Sequence, residues 1–548
     1  MIESAYNNDR ERAIDPMTRP HYLEIDNMNQ TTFGVTILTA AVRLCIATLA
    51  VGVAAPAMAA DDTTRVIVSY KAGASATVKS AIAAARGNIR HEIDEEDAVA
   101  VDLPKAALAA LASNPDVEFV EEDAKRYPLA LTSPSAAPYK PGQLVPYGIK
   151  MVQADQLSDK FAGNRMICII DSGYSRAHED LAANRVTGKF DTGTGWWYND
   201  ENHHGTHVAG TIAGIDNAGT GVVGVLPNKK IRLHIVKVFN AEGWAYSSTL
   251  ASAAKQCGKA GADVISMSLG GGTPSKAERK AFDKLEKKGV LSIAAAGNDG
   301  NTDISYPAGY SSVMMVGALD ENKQWASFSQ FNPKVEISAP GVDVLSTVPM
   351  NSGSAAALSV GGAPVVASPN TGSPQLSATA ALADMGIGDA VNPAMAGKVC
   401  LIKRGAISFG QKVANCQASG GVGAVLWNNV PGMLYATLGT TVTTIPSVGV
   451  SGVDGEVLMT KLGQDAAIAI TGVSYEYYNG TSMATPHVSA VAALVWSYFP
   501  SCTGEQIRAT LRKSAQDLGA AGRDDKYGHG LVQAKAAHTR IANKGCGK

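Results

Sequence analysis

Between residues 65 and 123, short apolar runs and helical patterns follow one another as strand, helix, strand, strand-like run, helix, strand. Arg65–Tyr70 opens the series and Val117–Asp123 closes it. This predicts a small α+β unit, near the lower size limit for independent stability. A Pro/Ser-rich linker, Tyr127 to Gly142, follows. From Met166 the apolar runs become continuous: Met166–Ile170, Leu233–Val238, Ala262–Met267 and Val290–Ala296, with helical patterns over Tyr246–Lys259 and Ser275–Lys288 between them. Strands apolar at every position are buried on both faces, so the pattern predicts an α/β fold with a parallel sheet flanked by helices. The alternation stops near Pro349. Residues 350–474 are rich in Gly, Ala and Thr and carry short β-like runs at Val399–Lys403, Gly423–Trp427 and Ala466–Ile470. A β-rich insertion splitting one domain explains this better than a structureless loop of that length. Helical patterning returns at Ser482, and the run Val488–Phe499 is apolar on nearly all sides, which predicts a helix buried in a domain's centre.

At 548 residues the chain is too long for one core. Its charged fraction of 18% is low, and with a formal net charge of −2 and no basic block it offers nothing for nucleic acid. The segment Phe33–Val53 is apolar and ends in Ala55-Pro56-Ala57-Met58-Ala59-Ala60, a small-x-small close that reads as a signal-peptidase site after Ala59 or Ala60. The Pro and the small residues argue against a spanning helix. Residues 1–27 are polar and charged, wrong for a signal n-region, which makes Met28 the expected start. No other run reaches 18 clean apolar residues, so a secreted chain without a membrane anchor is expected. A monomer is expected as well. Cys45 leaves with the signal. The remaining even set pairs by proximity as Cys400 with Cys416 and Cys502 with Cys546. Cys168 and Cys257 are left either as a third disulfide or as buried thiols.

Chemistry gathers where apolar runs end. The strand Met166–Ile170 runs into Asp171-Ser172-Gly173, which sets a carboxylate at the carboxyl edge of the sheet, where open α/β folds form their crevice. His203-His204-Gly205-Thr206-His207 opens a helical stretch of small and apolar residues, and Ser292–Ala296 runs into Gly297-Asn298 at the same edge. Asn479-Gly480-Thr481-Ser482 precedes the buried helix, where unpaired N–H groups and the positive helix end favour an oxyanion. Taken alone, Ser482 is a helix cap. With the other three, the set supplies acyl transfer: Ser482 as nucleophile, His204 as base, Asp171 to fix the imidazole, Asn298 to donate to the oxyanion. A metal site on His204, His207 and Asp171 would leave Ser482 and Asn298 without roles. The Asp-Ser/Thr-Gly triplets at Asp171 and Asp191 also mimic aspartic proteases, but lie too close together, on an α/β pattern, to serve two β-rich lobes.

These motifs, with Gly480-Thr481-Ser482-Met483-Ala484, Val264–Gly270, Ser338-Ala339-Pro340-Gly341 and Tyr527–Val532, resemble the subtilisin-like serine proteases in their Asp–His–Ser order. The resemblance implies a subtilisin-like catalytic domain in two parts, 143–349 and 475–548, that hydrolyses protein or peptide substrates with no catalytic cofactor. His207 and His487 are then structural. It also implies a primary pocket formed by Ser268, Leu269 and Gly270 on one side and Ala295, Ala296 and Gly297 on the other, with Ser305 at its base. With no acid evident there, the pocket should prefer large apolar side chains. Residues 61–127 resemble the I9-type inhibitory propeptide, whose tail should lie in the cleft and be cut in cis, after Tyr127 or within the linker (128–142) up to about Lys140. Residues 1–60 would be extension and signal. The cues Gly397–Gly405, Gly420–Val425 and Ile445–Val448 make 350–474 similar to a protease-associated (PA) domain, a lid or exosite. Gln143, Asp180 and Asn217 align with side-chain ligands of the family's tight calcium site, although the loop Ile215–Val222 is one residue longer than the family pattern. The competing class is a non-catalytic binding or inhibitory protein on the same fold, against which the intact motifs argue.

Overall fold

The computed structural model describes residues 62–93, 95–132, 142–240, 242–430 and 432–548. The expected extension and signal (1–60), with Met28 and Cys45, lie outside the described residues, as does linker segment 133–141.

The N-terminal unit is a four-stranded antiparallel sheet in the order Asn88–Ile93, Ala98–Pro104, Thr63–Tyr70, Val117–Glu122. Strand alternation gives it two different faces. Val66, Val68 and Tyr70 point to one side and pack with Val78 and Ile82 of the helix Ser75–Ala84 and with Leu111 of the helix Leu108–Ala112. Ile67, Ile93 and Ala98 face the other way and pack on Ala251, Ala277 and Ala281. Those three alanines belong to the helices Ser247–Ala260 and Lys276–Lys287 of the main domain. The unit therefore completes its core on a neighbour, as its small size requires.

The main domain is built on seven parallel strands in the order Val335–Pro340, Val313–Leu319, Leu291–Ala295, Val264–Met267, Met166–Asp171, Arg232–Lys237, Arg185–Gly188. The expected parallel sheet is thus present, and the continuous apolar runs have a simple cause. Ile167 and Ile169 pack with the helix Thr481–Tyr498 on one face. Cys168 and Ile170 pack with Leu250, Phe282 and Leu285 on the other. The helix Thr481–Tyr498 is buried at every residue from Thr481 to Ser497, which is why its sequence shows no polar stripe.

The strands Val344–Thr347 and Tyr475–Asn479 pair antiparallel, so the chain leaves and re-enters this domain at one place. Between them lies a mixed eight-stranded sheet, Ala363–Val365, Gly353–Val360, Asp465–Val473, Ser377–Asp384, Val399–Lys403, Gly423–Trp427, Ser447–Val450, Ser368–Pro369. It is β-rich as expected, but it also holds two helices that the Gly/Ala composition concealed. Phe409–Ala418 and Gly452–Met459 each start on a serine that caps them, Ser408 accepting from Gln411 N and Ser451 from Asp454 N. The expected disulfides Cys400–Cys416 and Cys502–Cys546 form, and Cys168 and Cys257, left open between disulfide and thiols, pair as well. This last bond ties a central strand to the helix Ser247–Ala260, so Cys168 and Cys257 are not free thiols.

Candidate active site

Asp171 ends its strand fully buried, and His204 is the first residue of the helix His204–Ala213. The two meet at 2.7 Å, His204 Nδ1 to Asp171 Oδ1. A second carboxylate fixes the geometry. Asp200 accepts from Ser172 Oγ at 2.7 Å through one oxygen and from Thr206 N and Oγ1 at 2.8 and 2.5 Å through the other. Ser172 Oγ in turn accepts from Gly205 N at 2.8 Å. This network locks the helix start onto the strand end. The sequence reading missed it because Asp200 lies in a polar stretch that looks like ordinary loop.

On the opposite side, Ser482 is buried in the first turn of its helix and Asn298 lies beside it. Asn298 Oδ1 accepts from Thr481 N and Thr481 Oγ1, both at 2.9 Å, which fixes the amide orientation and leaves its Nδ2 to donate outward. Gly297 N adds a bond to Thr481 Oγ1 at 3.2 Å. Pro486, inside the helix, has no N–H for the carbonyl four residues earlier, that of Ser482. Ser268 Oγ takes its place, donating to Ser482 O at 2.7 Å. Ser482 Oγ donates to Ser268 O at 2.7 Å, and His204 Nε2 is without a hydrogen-bond partner among the described residues.

The gap between these groups is filled by the chain's own segment 125–132. Lys125–Pro128 forms a strand antiparallel to both Ala245–Tyr246 and Leu269–Gly270. Leu131–Thr132 pairs antiparallel with the strand Tyr475–Asn479. At the crossing point Leu129 N donates to Ser268 O at 3.2 Å. The Leu129 carbonyl oxygen accepts from Asn298 Nδ2 at 2.7 Å and from Ser482 N at 3.4 Å. Gly480, with φ +150°, permits this approach, since a Cβ there would lie 2.4 Å from that carbonyl oxygen. The linker was expected to begin here as loop. Main-chain pairing in the cleft overrides that local signal, which the Pro and Ser residues had set.

Of the expected pocket residues, Gly270 lies between Ser305 and the Leu129 side chain. A Cβ at Gly270 would lie 2.1 Å from Ser305 Oγ and 3.1 Å from Leu129 Cδ1, so the absence of a side chain there keeps the pocket open. Leu269 and Gly270 supply the strand edge, Ser268 the two contacts to Ser482, and Ala295 to Gly297 the strand end leading to Asn298. Beyond the tail, a cleft of about 850 Å³ is walled by His204, Pro128 and Ala130 on one side and by Ser354, Ala356 and Asn370 of the eight-stranded unit on the other.

His207 and His487 are structural. Burial holds their rings neutral, at about 3 and about 4. His207 Nε2 lies 3.0 Å from Val344 O and its ring stacks on Tyr478, while His487 Nδ1 bonds Met483 O at 2.8 Å. Asp180 is fully buried, and burial above all pushes its carboxyl up to about 6. Asn217 Nδ2 donates to Asp180 Oδ1 at 2.6 Å, and Gln143 Nε2 to Ile215 O at 3.4 Å, so all three residues converge on the loop 215–222. No Lys or Arg forms an ion pair with Asp180 among the described residues. Asp180 Oδ2 also accepts from Val222 N at 2.7 Å, so both carboxylate oxygens face N–H donors; with the Asn217 and Gln143 amides turned to present oxygen, the three would offer the hard donors a divalent cation takes.

The profile of the subtilase family matches residues 163–370 and 451–530, that of the PA domain 361–458, and that of the fervidolysin N-terminal prodomain 63–123. Subtilisin DY from Bacillus licheniformis is 45% identical over 216 residues, 38% of this chain and 77% of its own length. An alkaline protease from Alkalihalobacillus alcalophilus is 37% identical over 453 residues, 82% of this chain and 80% of its own. Among solved structures, the psychrophilic subtilisin-like protease Apa1 from the Antarctic psychrotroph Pseudoalteromonas sp. AS-11 superposes with a TM-score of 0.54 at 45% identity. That match covers 74% of this chain and 100% of Apa1.

Proposed function

Because the chain belongs to the subtilase family of serine endopeptidases, we propose that it is a secreted precursor whose first substrate is its own Leu129–Ala130 bond. The observation that carries this is the Leu129 carbonyl oxygen, held between Asn298 Nδ2 and Ser482 N. Those are the donors an oxyanion needs, and Ser482 is itself buried. Ser482 Oγ turns from Ser268 O and attacks the Leu129 carbonyl carbon, while His204 Nε2 takes its proton. Asp171, on Nδ1, holds the tautomer and stabilises the imidazolium. The tetrahedral oxyanion rests on Asn298 and Ser482 N. Collapse breaks the Leu129–Ala130 bond, and His204 returns the proton to the Ala130 amine. Water, activated by His204, then releases Leu129 from the acyl-enzyme.

Residues 61–129 would remain as an intramolecular inhibitor, since the sheet packing and the cleft strand do not depend on the cut bond. Substrate proteins would follow the same path, with a large apolar residue at the primary position, as Leu129 is here. The PA-like insertion, 350–474, walls the cleft and would limit which folded proteins reach Ser482. Gln143, Asp180 and Asn217 would hold a structural Ca²⁺, which ties the loop 215–222 to residue 143 and takes no part in the chemistry. Export as a secreted enzyme rests on the signal-like segment 33–60 and on the family. Among the described residues no helix is long and apolar enough to cross a membrane.

A fluorophosphonate probe tests the reading. It is expected to label the processed chain at Ser482, and the new N-terminus is expected at Ala130. Ser482→Ala should remain full length in a protease-free expression system and lose about 10⁶ in kcat, the scale of removing the serine of subtilisin. A folded, processed sample that takes no label at Ser482, or a Ser482→Ala chain that still loses residues 61–129, would sink it.

A further inference from the structure

Arg126 is the fourth residue before the Leu129–Ala130 bond, and its environment differs from that of the rest of the cleft segment. Tyr127 is 45% exposed, whereas the Arg126 side chain is wholly buried, as is its partner Glu278. The pair is bidentate: Nε donates to Glu278 Oε1 at 3.0 Å and Nη2 to Oε2 at 2.7 Å. Nη2 also donates to Thr273 O at 3.0 Å, and Nη1 to Lys125 O at 3.0 Å. Four of the guanidinium's five N–H donors are thereby satisfied. Burial works against the charge of Arg126, and the facing carboxylate more than offsets it. The backbone makes room for the arginine at Gly271, where a Cβ would lie 2.4 Å from Lys125 O and 3.3 Å from Arg126 Nη1.

The main domain is arranged to keep Glu278 pointed into this pocket. Ser275 and Glu278 have the Ser-x-x-Glu spacing of a capping box, in which the glutamate would fold back onto the serine N–H. Here only half of the box forms. Ser275 Oγ accepts from Glu278 N at 3.2 Å, but Ser275 N donates instead to the Tyr310 hydroxyl at 2.8 Å. Tyr310 in turn donates to Glu278 Oε2 at 2.7 Å. The tyrosine thus takes over the capping bond and frees the carboxylate for the cleft. Glu278 also lies in the first turn of the helix Lys276–Lys287, whose positive end favours its charge. Glu278, Tyr310 and Thr273 all belong to the main domain. Arg126 belongs to the segment that departs after processing, so its departure leaves an acidic, preformed pocket.

Resting on the peptidase reading above, we infer that Glu278, oriented by Tyr310, makes the mature enzyme select arginine at the fourth residue before the cleaved bond. Its preferred sites would combine that arginine with a large apolar residue at the cut, as in Arg126-Tyr127-Pro128-Leu129. A planar, bidentate donor fits the carboxylate where a lysine would reach it with a single point charge. An uncharged side chain would leave Glu278 desolvated without a partner, so discrimination should be strong.

The test compares kcat/KM of the processed enzyme on three chromogenic peptides, acetyl-Arg-Tyr-Pro-Leu-, acetyl-citrulline-Tyr-Pro-Leu- and acetyl-Leu-Tyr-Pro-Leu-p-nitroanilide. Citrulline keeps the shape of arginine and removes its charge. The arginine peptide should be preferred over both others by at least about tenfold, chiefly through KM. Glu278→Gln, close in size to the native residue, should bring the arginine-to-citrulline ratio to within about twofold of unity, because the charge it removes is the basis of the ratio. Equal cleavage of all three peptides by the native enzyme overturns the inference and leaves the peptidase reading standing. So does a ratio that Glu278→Gln leaves unchanged. Cleavage of none of them overturns the peptidase reading, and the inference with it.

Discussion

At the scale of single residues, the candidate site depends on atoms whose partners are fixed from behind. Asn298 is the plainest case: Thr481 holds its carbonyl oxygen through two bonds, so the amide N–H can point only at the Leu129 carbonyl. Asn298→Ala should therefore lower kcat on a peptide substrate by about 10²–10³ with little change in KM, the scale of losing the same donor in subtilisin. An equal loss in KM would mean that the side chain binds the ground state instead. The residues proposed to react were legible in the chain because each lies within two residues of a glycine, at the end of an apolar strand pattern or the start of a helical one. The residues that hold them were not. Asp200, Ser172 and Thr481 are small polar residues in polar surroundings, and their importance lies in partners 28, 33 and 183 residues away.

At the scale of elements, the N-terminal unit supplies caps to two helices that do not cap themselves fully. Asp123 accepts from Ser248 N at 2.9 Å, Ser248 Oγ at 2.6 Å and Arg65 Nε at 2.9 Å at the start of the helix Ser247–Ala260, which has no side-chain cap of its own. Glu121 accepts from Lys276 N, Ala277 N and Ser275 Oγ at the start of the helix Lys276–Lys287. Carboxylates at helix N-termini satisfy orphan N–H groups and meet the positive dipole end. In the Ser482→Ala precursor, Asp123→Ala should cost about 2 kcal/mol, read as a lower urea midpoint. An unchanged midpoint would show these contacts to be incidental. The elements of this unit followed from periodicity, but the face it buries did not, because Ile67, Ile93 and Ala98 read as one more apolar side without saying what covers it.

At the scale of the whole molecule, the insertion leaves and returns through a single antiparallel pair, Val344–Thr347 with Tyr475–Asn479, and Val348 N bonds Ser474 O at 2.9 Å. A short turn replacing residues 350–473 should therefore leave the central sheet intact. Hydrolysis of a small peptide is expected to change by less than about threefold, within the scatter of a change that touches no reacting group. Hydrolysis of a folded protein substrate should change far more, in rate or in cleavage sites. If both substrates respond alike, the insertion does not govern access.

The order of the motifs, the parallel sheet, the insertion and the disulfides Cys400–Cys416 and Cys502–Cys546 were written in the chain. Each rests on local periodicity, on glycine-flanked polar residues or on proximity along the sequence. Two features were decided only in three dimensions. One is the bond that meets Ser482: the run Tyr127 to Gly142 looks like uniform linker, and only pairing with strands far along the chain sets Leu129 against Asn298. The other is the acidic pocket. Arg126 and Glu278 are 152 residues apart, and Glu278 faces the cleft because Tyr310 takes the bond to Ser275 N. Local pattern specifies which groups a chain has to react with. Long-range packing specifies which of them face one another, because burying a charge requires a partner that only the fold can bring.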